Sequence, residues 1–315
     1  MVTTANDYSH TIGIASFEGR GFMNPIDVIF NDELLYVLSR SNASNKNNRI
    51  SALTVDSNHK FEFANWGEEP GKSILPTAIE IDKDNKIILS DEHLNRISIF
   101  DLEGKLINHW GEFGNKEGQL NRPSGISIDS ENNILVVDHL NSRIQKFDTS
   151  GKYISCFGKF GKDVGEFNYP WGIDIDKDQN IYIADWRNNR VQIFNSNGNY
   201  VNSIENYEDQ KLAKPSSVHI SKKGNIFVTN WADNSVIIYD SKLNFISKLI
   251  GDATISKWCQ EFLDVNPEQS SWREEAGLFE EEKRFWRPQN IDSNEDLIFI
   301  TDSCRHRIQI YKNRF

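Results

Sequence analysis

Glu80, Asp174, His219 and Asp292 hold the same place in successive copies of a repeated segment, and Asp27 and Asn290 stand two residues before that place in theirs. Each sits in a short alternating stretch of the GISID or GIDID kind. Such alternation reads as a strand whose neighbouring side chains point to opposite faces. If Ile79, Ile126, Ile173, Val218 and Ile291 pack into the body of the protein, the column Ile29, Glu80, Ser127, Asp174, His219 and Asp292 faces the other way. Carboxylates gathered on one narrow axis raise at least one carboxyl pKa or call in a cation. Oxygen ligands with one imidazole suit calcium, magnesium or manganese, so Glu80, Asp174, Asp292 and Asp27 form a candidate divalent-metal set. A hydrated polar channel with no dedicated ion is the other reading. A slip of one residue in register would turn all of these groups away.

A second pair of columns carries different chemistry. One reads Arg40, Glu92, His139, Trp186, Trp231 and Ser303; the other reads Ile26, Thr77, Ser124, Trp171, Ser216 and Gln289. Trp171, Trp186 and Trp231 suggest an aromatic wall for an apolar, sugar or cationic ligand. Gln289 and Asn290 would supply polar contacts to it. His139, Glu92 and Arg40 are candidate acid, base and anion clamp, with His219 as a further titratable group. Ordinary rim packing is the alternative.

The elements that must position these residues follow from a repeat. Pro76, Pro123, Pro170 and Pro215 are spaced by 47, 47 and 45 residues. Residues 123–147 read PSGISIDSENNILVVDHLNSRIQKF, and residues 170–194 read PWGIDIDKDQNIYIADWRNNRVQIF. Related text follows Pro76, Pro215 and Pro288, and a weaker copy begins at Pro25, which makes six. Each copy holds an alternating run, a turn rich in Asp, Asn and Lys, a β-rich run ending in Asp, a polar loop, a run such as RIQKF and a last short run. Four strands in a period of this size make the blade of a β-propeller. The last copy stops after its third strand, so His10–Phe17 is expected to supply the fourth and close the ring.

These copies resemble the NHL family of propellers. The resemblance rests on the G-I-x-x-D opening, the D-x-x-N-x-R element and the linkers WGEFGNKEGQLNRP (110–123) and FGKFGKDVGEFNYP (157–170). It departs from the pattern at Ser39 in the first copy and at Asn230 and Ser235 in the fifth. The resemblance implies an all-β, six-bladed, single-domain ring. It also implies either a lyase or hydrolase, as in peptidyl-hydroxyglycine amidating lyase and more distantly virginiamycin B lyase and gluconolactonase-type propellers, or a non-catalytic interaction module. Those enzymes use a metal in or above the channel. The lyase pattern places several His ligands at the inner-strand openings, where this chain has Thr77, Ser124, Trp171 and Gln289.

Repetition also separates scaffold from site. Asp91, Asp138, Asp185 and Asp302 recur, as do Arg49, Arg96, Arg143, Arg190 and Arg307. Each Asp is expected to cap loop amides and each Arg to pair or pack. The interval from Pro215 to Pro288 is 73 residues, about 27 longer than the others, which puts an insertion at about 251–287. Ile255, Trp258, Phe262 and Val265 form a helical stripe there, and Ser271–Glu274 has the form of a capping box. The insertion reads as a lid over the tryptophan face, which would make Trp258 a ligand contact. Cys259 has no adjacent His and reads as a small packed residue.

Composition sets outer limits. The chain has 315 residues, a net charge of −11 and 38% apolar residues. That acidity disfavours nucleic acid and anionic lipid as partners. Three scattered cysteines make no disulfide framework or zinc cluster. No leader or membrane span is evident, so a cytoplasmic protein binding a small molecule is expected, with a protein partner as the alternative.

Overall fold

The computed structural model describes residues 7–41 and 44–315. They form six four-stranded antiparallel sheets arranged as a ring of blades. The inner strands are Pro25–Asn31, Pro76–Ile81, Pro123–Ile128, Pro170–Ile175, Pro215–Ile220 and Pro288–Ser293. Each packs on the inner strands of both neighbours, and the first meets the last. In blade 3 the remaining strands are Ile134–Asp138, Arg143–Phe147 and Tyr153–Phe157, and the other blades follow this order.

Local chemistry explains the blade. The second strand, ILVVD in blade 3, is wholly buried because neighbouring blades cover both of its faces. Its Ile134 and Val136 pack with Ile88, Ile97 and Ile126 in the core between blades 2 and 3. The first hairpin turns on Asp129, whose Oδ1 accepts the amides of Glu131 at 2.8 Å and Asn133 at 2.9 Å. Asp82 and Asp176 do the same in their blades. Inner strands approach so closely at Gly125 and Gly172 that an added Cβ would lie 2.6 Å from backbone of the next blade.

The recurring Asp and Arg form a buried node. Asp138 is fully buried and accepts the Asn121 amide at 2.7 Å, Arg143 Nε at 2.7 Å and Gln145 Nε2 at 3.0 Å. Arg143 also donates to the carbonyls of Lys116 and Gln119. The node thus ties the second hairpin to the linker from the previous blade. Asp185 with Arg190, and Asp302 with Arg307, repeat it. Blade 5 keeps the linker contact through Asn230, which accepts the Ala213 amide at 2.6 Å.

The chain ends close the ring as the repeat count requires. Tyr8–Ile12 pairs with Arg307–Lys312 as the outer strand of blade 6. It begins earlier than the expected His10 and stops at Ile12. Beyond it, Ala15 bridges to Phe22 within the linker to blade 1.

The insertion is helical, with helices at Lys257–Val265, Pro267–Ala276 and Phe279–Lys283. Its placement corrects two expectations. It lies along the outer wall where blades 6 and 1 meet: Thr254 bonds Tyr8, Ser256 donates to the Gly13 carbonyl and Glu261 pairs with Arg20. Trp258 is buried against Phe22 and donates to the Ser57 carbonyl at 2.9 Å, so it anchors the insertion in the core rather than facing a ligand. Phe262 and Val265 of the expected stripe are exposed. Ser271 lies inside the second helix, so the capping box is not used; Ser256 caps the first helix by accepting the Cys259 amide.

Asp138→Ala leaves the Arg143 guanidinium and the Asn121 amide without their buried partner. It is expected to destabilise the ring by about 3–5 kcal/mol, measured by chemical denaturation. A loss below about 1 kcal/mol would show the node to be no stronger than a surface ion pair.

Candidate functional site

Two neighbouring sites emerge, one in the channel and one at its mouth. The channel encloses a cavity of about 310 Å³ lined by Asp27, Glu80, Asp174, Ser217, His219, Asn290 and Asp292 among others. The expected column therefore does converge. Its carboxylates, however, reach sideways into the ring. Asp27 accepts the Ile79 amide of blade 2 at 2.8 Å, Asp174 accepts the Ile220 amide of blade 5 at 2.7 Å, and Asp292 accepts the Phe30 amide of blade 1 at 2.6 Å. Each also accepts the amide of the residue that follows it. Glu80 accepts the Ile81 amide at 2.9 Å. Asn290 donates to Asp27 and accepts from Ser217 Oγ at 2.5 Å. These bonds stitch adjacent inner strands together.

Burial dominates the titration of this cluster. It lifts Asp27 from 3.8 to about 8, against the opposing pull of the Ile79 and Val28 amides. It lifts Glu80 well above the usual range, with the charge of Asp174 adding to the shift. Asp292 also rises through burial, moderated by His219. Burial alone would lower His219, but its hydrogen bond to Asp174 and the charges of Asp174 and Asp292 outweigh that and raise it. His219 Nδ1 lies 3.4 Å from Asp174 Oδ2, and Nε2 bonds Ser293 at 2.8 Å. The cluster does not fit the expected divalent ion. Among the described residues no three His, Cys, Asp and Glu side chains are grouped to share a metal. Both carboxyl oxygens of Asp27, Asp174 and Asp292 already accept backbone amides, which aims them at the neighbouring strands rather than at a shared ion.

The mouth differs in character. His139, Tyr169, Trp171, Trp186, Arg187, Ser216, Trp231 and Gln289 line one cavity of about 300 Å³ across blades 3 to 6. Five of these, His139, Trp171, Trp186, Trp231 and Gln289, are the candidate site residues taken from the two sequence columns. His139 packs edge-on to Trp171 at 4.9 Å and to Tyr169 at 5.0 Å between ring centres. Trp186 meets Trp231 edge-on at 5.9 Å. Trp171 occupies the column where Thr77, Ser124 and Ser216 bond carbonyls of the next blade, so it adds a wall where other blades have a small hydroxyl.

His139 is the titratable group with a defined role here. Its Nδ1 lies 2.9 Å from the Pro170 carbonyl, which can only accept, so Nδ1 carries the proton. Burial lowers its pKa although the Pro170 carbonyl opposes the shift, and the charges of Arg122 and Arg187 act with burial. The imidazole is therefore neutral, with an Nε2 lone pair. Glu92 and Arg40 do not complete an acid–base set with it. They pair with each other at 2.7 Å across blades 1 and 2, outside the cavity.

Sequence reading missed Tyr169 and Arg187 in the lining, and Lys214 and Arg287 behind it; Ser216 stood in a rim column without being singled out. Lys214 Nζ lies 4.7 Å from the Trp186 ring centre, and Arg287 lies 4.7 Å over Trp231. Tyr169, Lys214 and Arg287 are the residues just before the repeated proline. All three have left-handed backbone, with φ of 58°, 53° and 56°. That conformation is strained for a non-glycine residue, and it displays these side chains on the rim. The column Asn24, Leu75, Arg122, Tyr169, Lys214, Arg287 carried the signal, because it too breaks the repeat.

The fold is a six-bladed propeller, and two of its blades match the NHL repeat. The NHL repeat model matches residues 120–147 and 167–194, which are the cores of blades 3 and 4. No curated protein matches the chain in sequence. Solved structures share the fold. A catalytically inactive virginiamycin B lyase from Staphylococcus aureus with quinupristin has a TM-score of 0.59 and 15% identity, over 96% of this chain and 98% of that one. A streptogramin B lyase has a TM-score of 0.58 and 13% identity, over 91% and 78%. A protein of unknown function from Bacteroides thetaiotaomicron has a TM-score of 0.61 and 14% identity, over 98% and 70%.

The raised carboxyl of Asp27 has a consequence for stability. Between 3.8 and about 8 the folded chain holds a proton that the unfolded chain has released. Stability from this group is full at the acid end and is lost as pH rises through about 8; His219, shifted upward, acts with the same sign. The thermal midpoint is expected to decline as pH is raised from about 5 to about 9, and Asp27→Asn to flatten that decline. A midpoint that climbs over this range would overturn the assignment.

Proposed function

We propose that this chain is a small-molecule-binding propeller whose ligand seats in the aromatic cavity at the channel mouth. The observation that carries this reading is that one cavity gathers three tryptophans, a tyrosine and a neutral histidine from different blades. Concave sites with aromatic walls and a few placed polar groups are the usual form of ligand pockets. Blade folding does not need them, since blades 1 and 2 have none of these residues at the same places.

The enzymatic form of the reading is a lyase or hydrolase with His139 Nε2 as the base. Lyase chemistry is named for two of the structures that share the fold, at 13% and 15% identity. A neutral imidazole held through Nδ1 and flanked by aromatic rings is equipped to take a proton from a bound molecule. His219 lies in the channel, bonded to Asp174 and Ser293, and would act there as a structural proton carrier.

A protein partner is the second reading, favoured by exposed apolar side chains on the insertion, among them Trp272 at 61% and Val265 at 76% exposure. Three free cysteines, with Cys156 exposed, fit a reducing cytoplasmic compartment. Among the described residues no helix is long and apolar enough to cross a membrane.

Naphthamide, an uncharged aromatic probe, is expected to bind the wild-type chain. Trp171→Ala and Trp186→Ala should each weaken that binding at least about tenfold with little change in the thermal midpoint, as followed by saturation-transfer NMR and a thermal melt. Wild-type binding in both variants would place the ligand elsewhere.

A further inference from the structure

We infer that the ligand of the channel mouth is an anion: an aromatic or apolar small molecule bearing a carboxylate or phosphate, drawn by a collar made of Arg187 in the cavity lining with Lys214 and Arg287 just outside it. This rests on the cavity proposed above and adds the charge of its ligand.

An aromatic cage often binds a cation through ring faces. Here those faces already have cations. Arg187 lies 3.9 Å over Tyr169, Lys214 lies 4.7 Å from Trp186 and 6.0 Å from Trp231, and Arg287 lies 4.7 Å over Trp231. A further cation would enter the field of three like charges.

The same side chains lack the partners that other arginines have. Arg40, Arg143, Arg190 and Arg307 each pair with a carboxylate. Among the described residues Arg187, Lys214 and Arg287 form no such pair. No Asp or Glu lines the cavity, although the chain carries 46 of them against 35 Lys and Arg. In so acidic a protein an uncompensated cationic rim around apolar walls is a departure from the background. His139 feels the same cations: Arg122 and Arg187 act with burial to lower its pKa, against the Pro170 carbonyl and the charge of Glu92.

Geometry adds a limit on depth. Trp171, Ser216 and Gln289 of the cavity immediately precede Gly172, Ser217 and Asn290 of the channel. Asp27 stands at that same level, and Glu80, Asp174 and Asp292 lie below it. An anion is attracted to the collar, and the channel below offers it carboxyl groups already bonded to backbone amides, so it stops at the mouth with its apolar part against the tryptophans.

Matched probes test this by calorimetry: naphthoate, naphthyl phosphate, naphthamide and naphthylmethylammonium. Naphthoate or naphthyl phosphate is expected to bind about tenfold tighter than naphthamide, with the ammonium weakest, and whichever anion is tighter identifies the group. The preference should shrink in high salt. Lys214→Gln with Arg287→Gln, neither of which lines the cavity, should bring the anions to the affinity of naphthamide. If all four probes bind alike and all are lost in Trp171→Ala, the cavity stands and the anion inference fails. If the charge variants weaken naphthamide as much as naphthoate, the collar is packing and the inference also fails. If naphthamide binding ignores Trp171→Ala, the cavity reading itself is wrong.

Discussion

A carboxylate buried at the end of the second strand holds each of blades 3, 4 and 6 to the linker that precedes it. Asp138, Asp185 and Asp302 accept a linker amide on one oxygen and an arginine on the other. The paired arginine then returns to carbonyls of the same linker. Such pairs add little net stability over apolar packing, yet removing one partner is severe. Their effect is positional. They fix where the second hairpin sits on the rim. His139, Trp186 and Ser303 directly follow these Asp residues, and Trp231 follows the equivalent Asn230. The rim cavity is therefore placed by the scaffold node one residue away.

The repeat made the fold readable because a single blade cannot bury its own faces. Copies of one segment must stack to cover one another, and the copy count then sets the ring. Column reading worked for the rim because positions equivalent in sequence are equivalent in space. It found His139, Trp171, Trp186, Trp231 and Gln289 for that reason. It brought Asp27, Glu80, Asp174 and Asp292 to the channel but not to a metal. The partners of these carboxylates are backbone amides, and a backbone amide has no letter in a sequence. Helical periodicity puts Trp258 on an apolar stripe, and the lid reading faces it to a ligand, because a stripe does not say what it packs against. The outer wall at blades 6 and 1 offered Phe22 and the Ser57 carbonyl, and it took the insertion. Tyr169, Lys214 and Arg287 escaped because a residue before proline is expected to be extended, whereas here it is left-handed and projects onto the rim.

Net charge proved a poor guide to the site. Much of the acidity is turn and node chemistry, as at Asp82, Asp129, Asp176 and Asp138. What bears on a ligand is how charge is sorted over a short distance. Cations stand against aromatic rings at the mouth, and carboxyl groups crowd the channel below. Burial favours protonation of Asp27, Glu80 and Asp292, which limits how much charge the ring must hold at its axis. With amides of adjacent blades bonded to those groups, the channel acts as a structural axle. It does not need to conduct a ligand, because the inner strands are joined across it. Chemistry then belongs at the mouth, where the node positions the rings and no bond between blades is lost when a molecule binds.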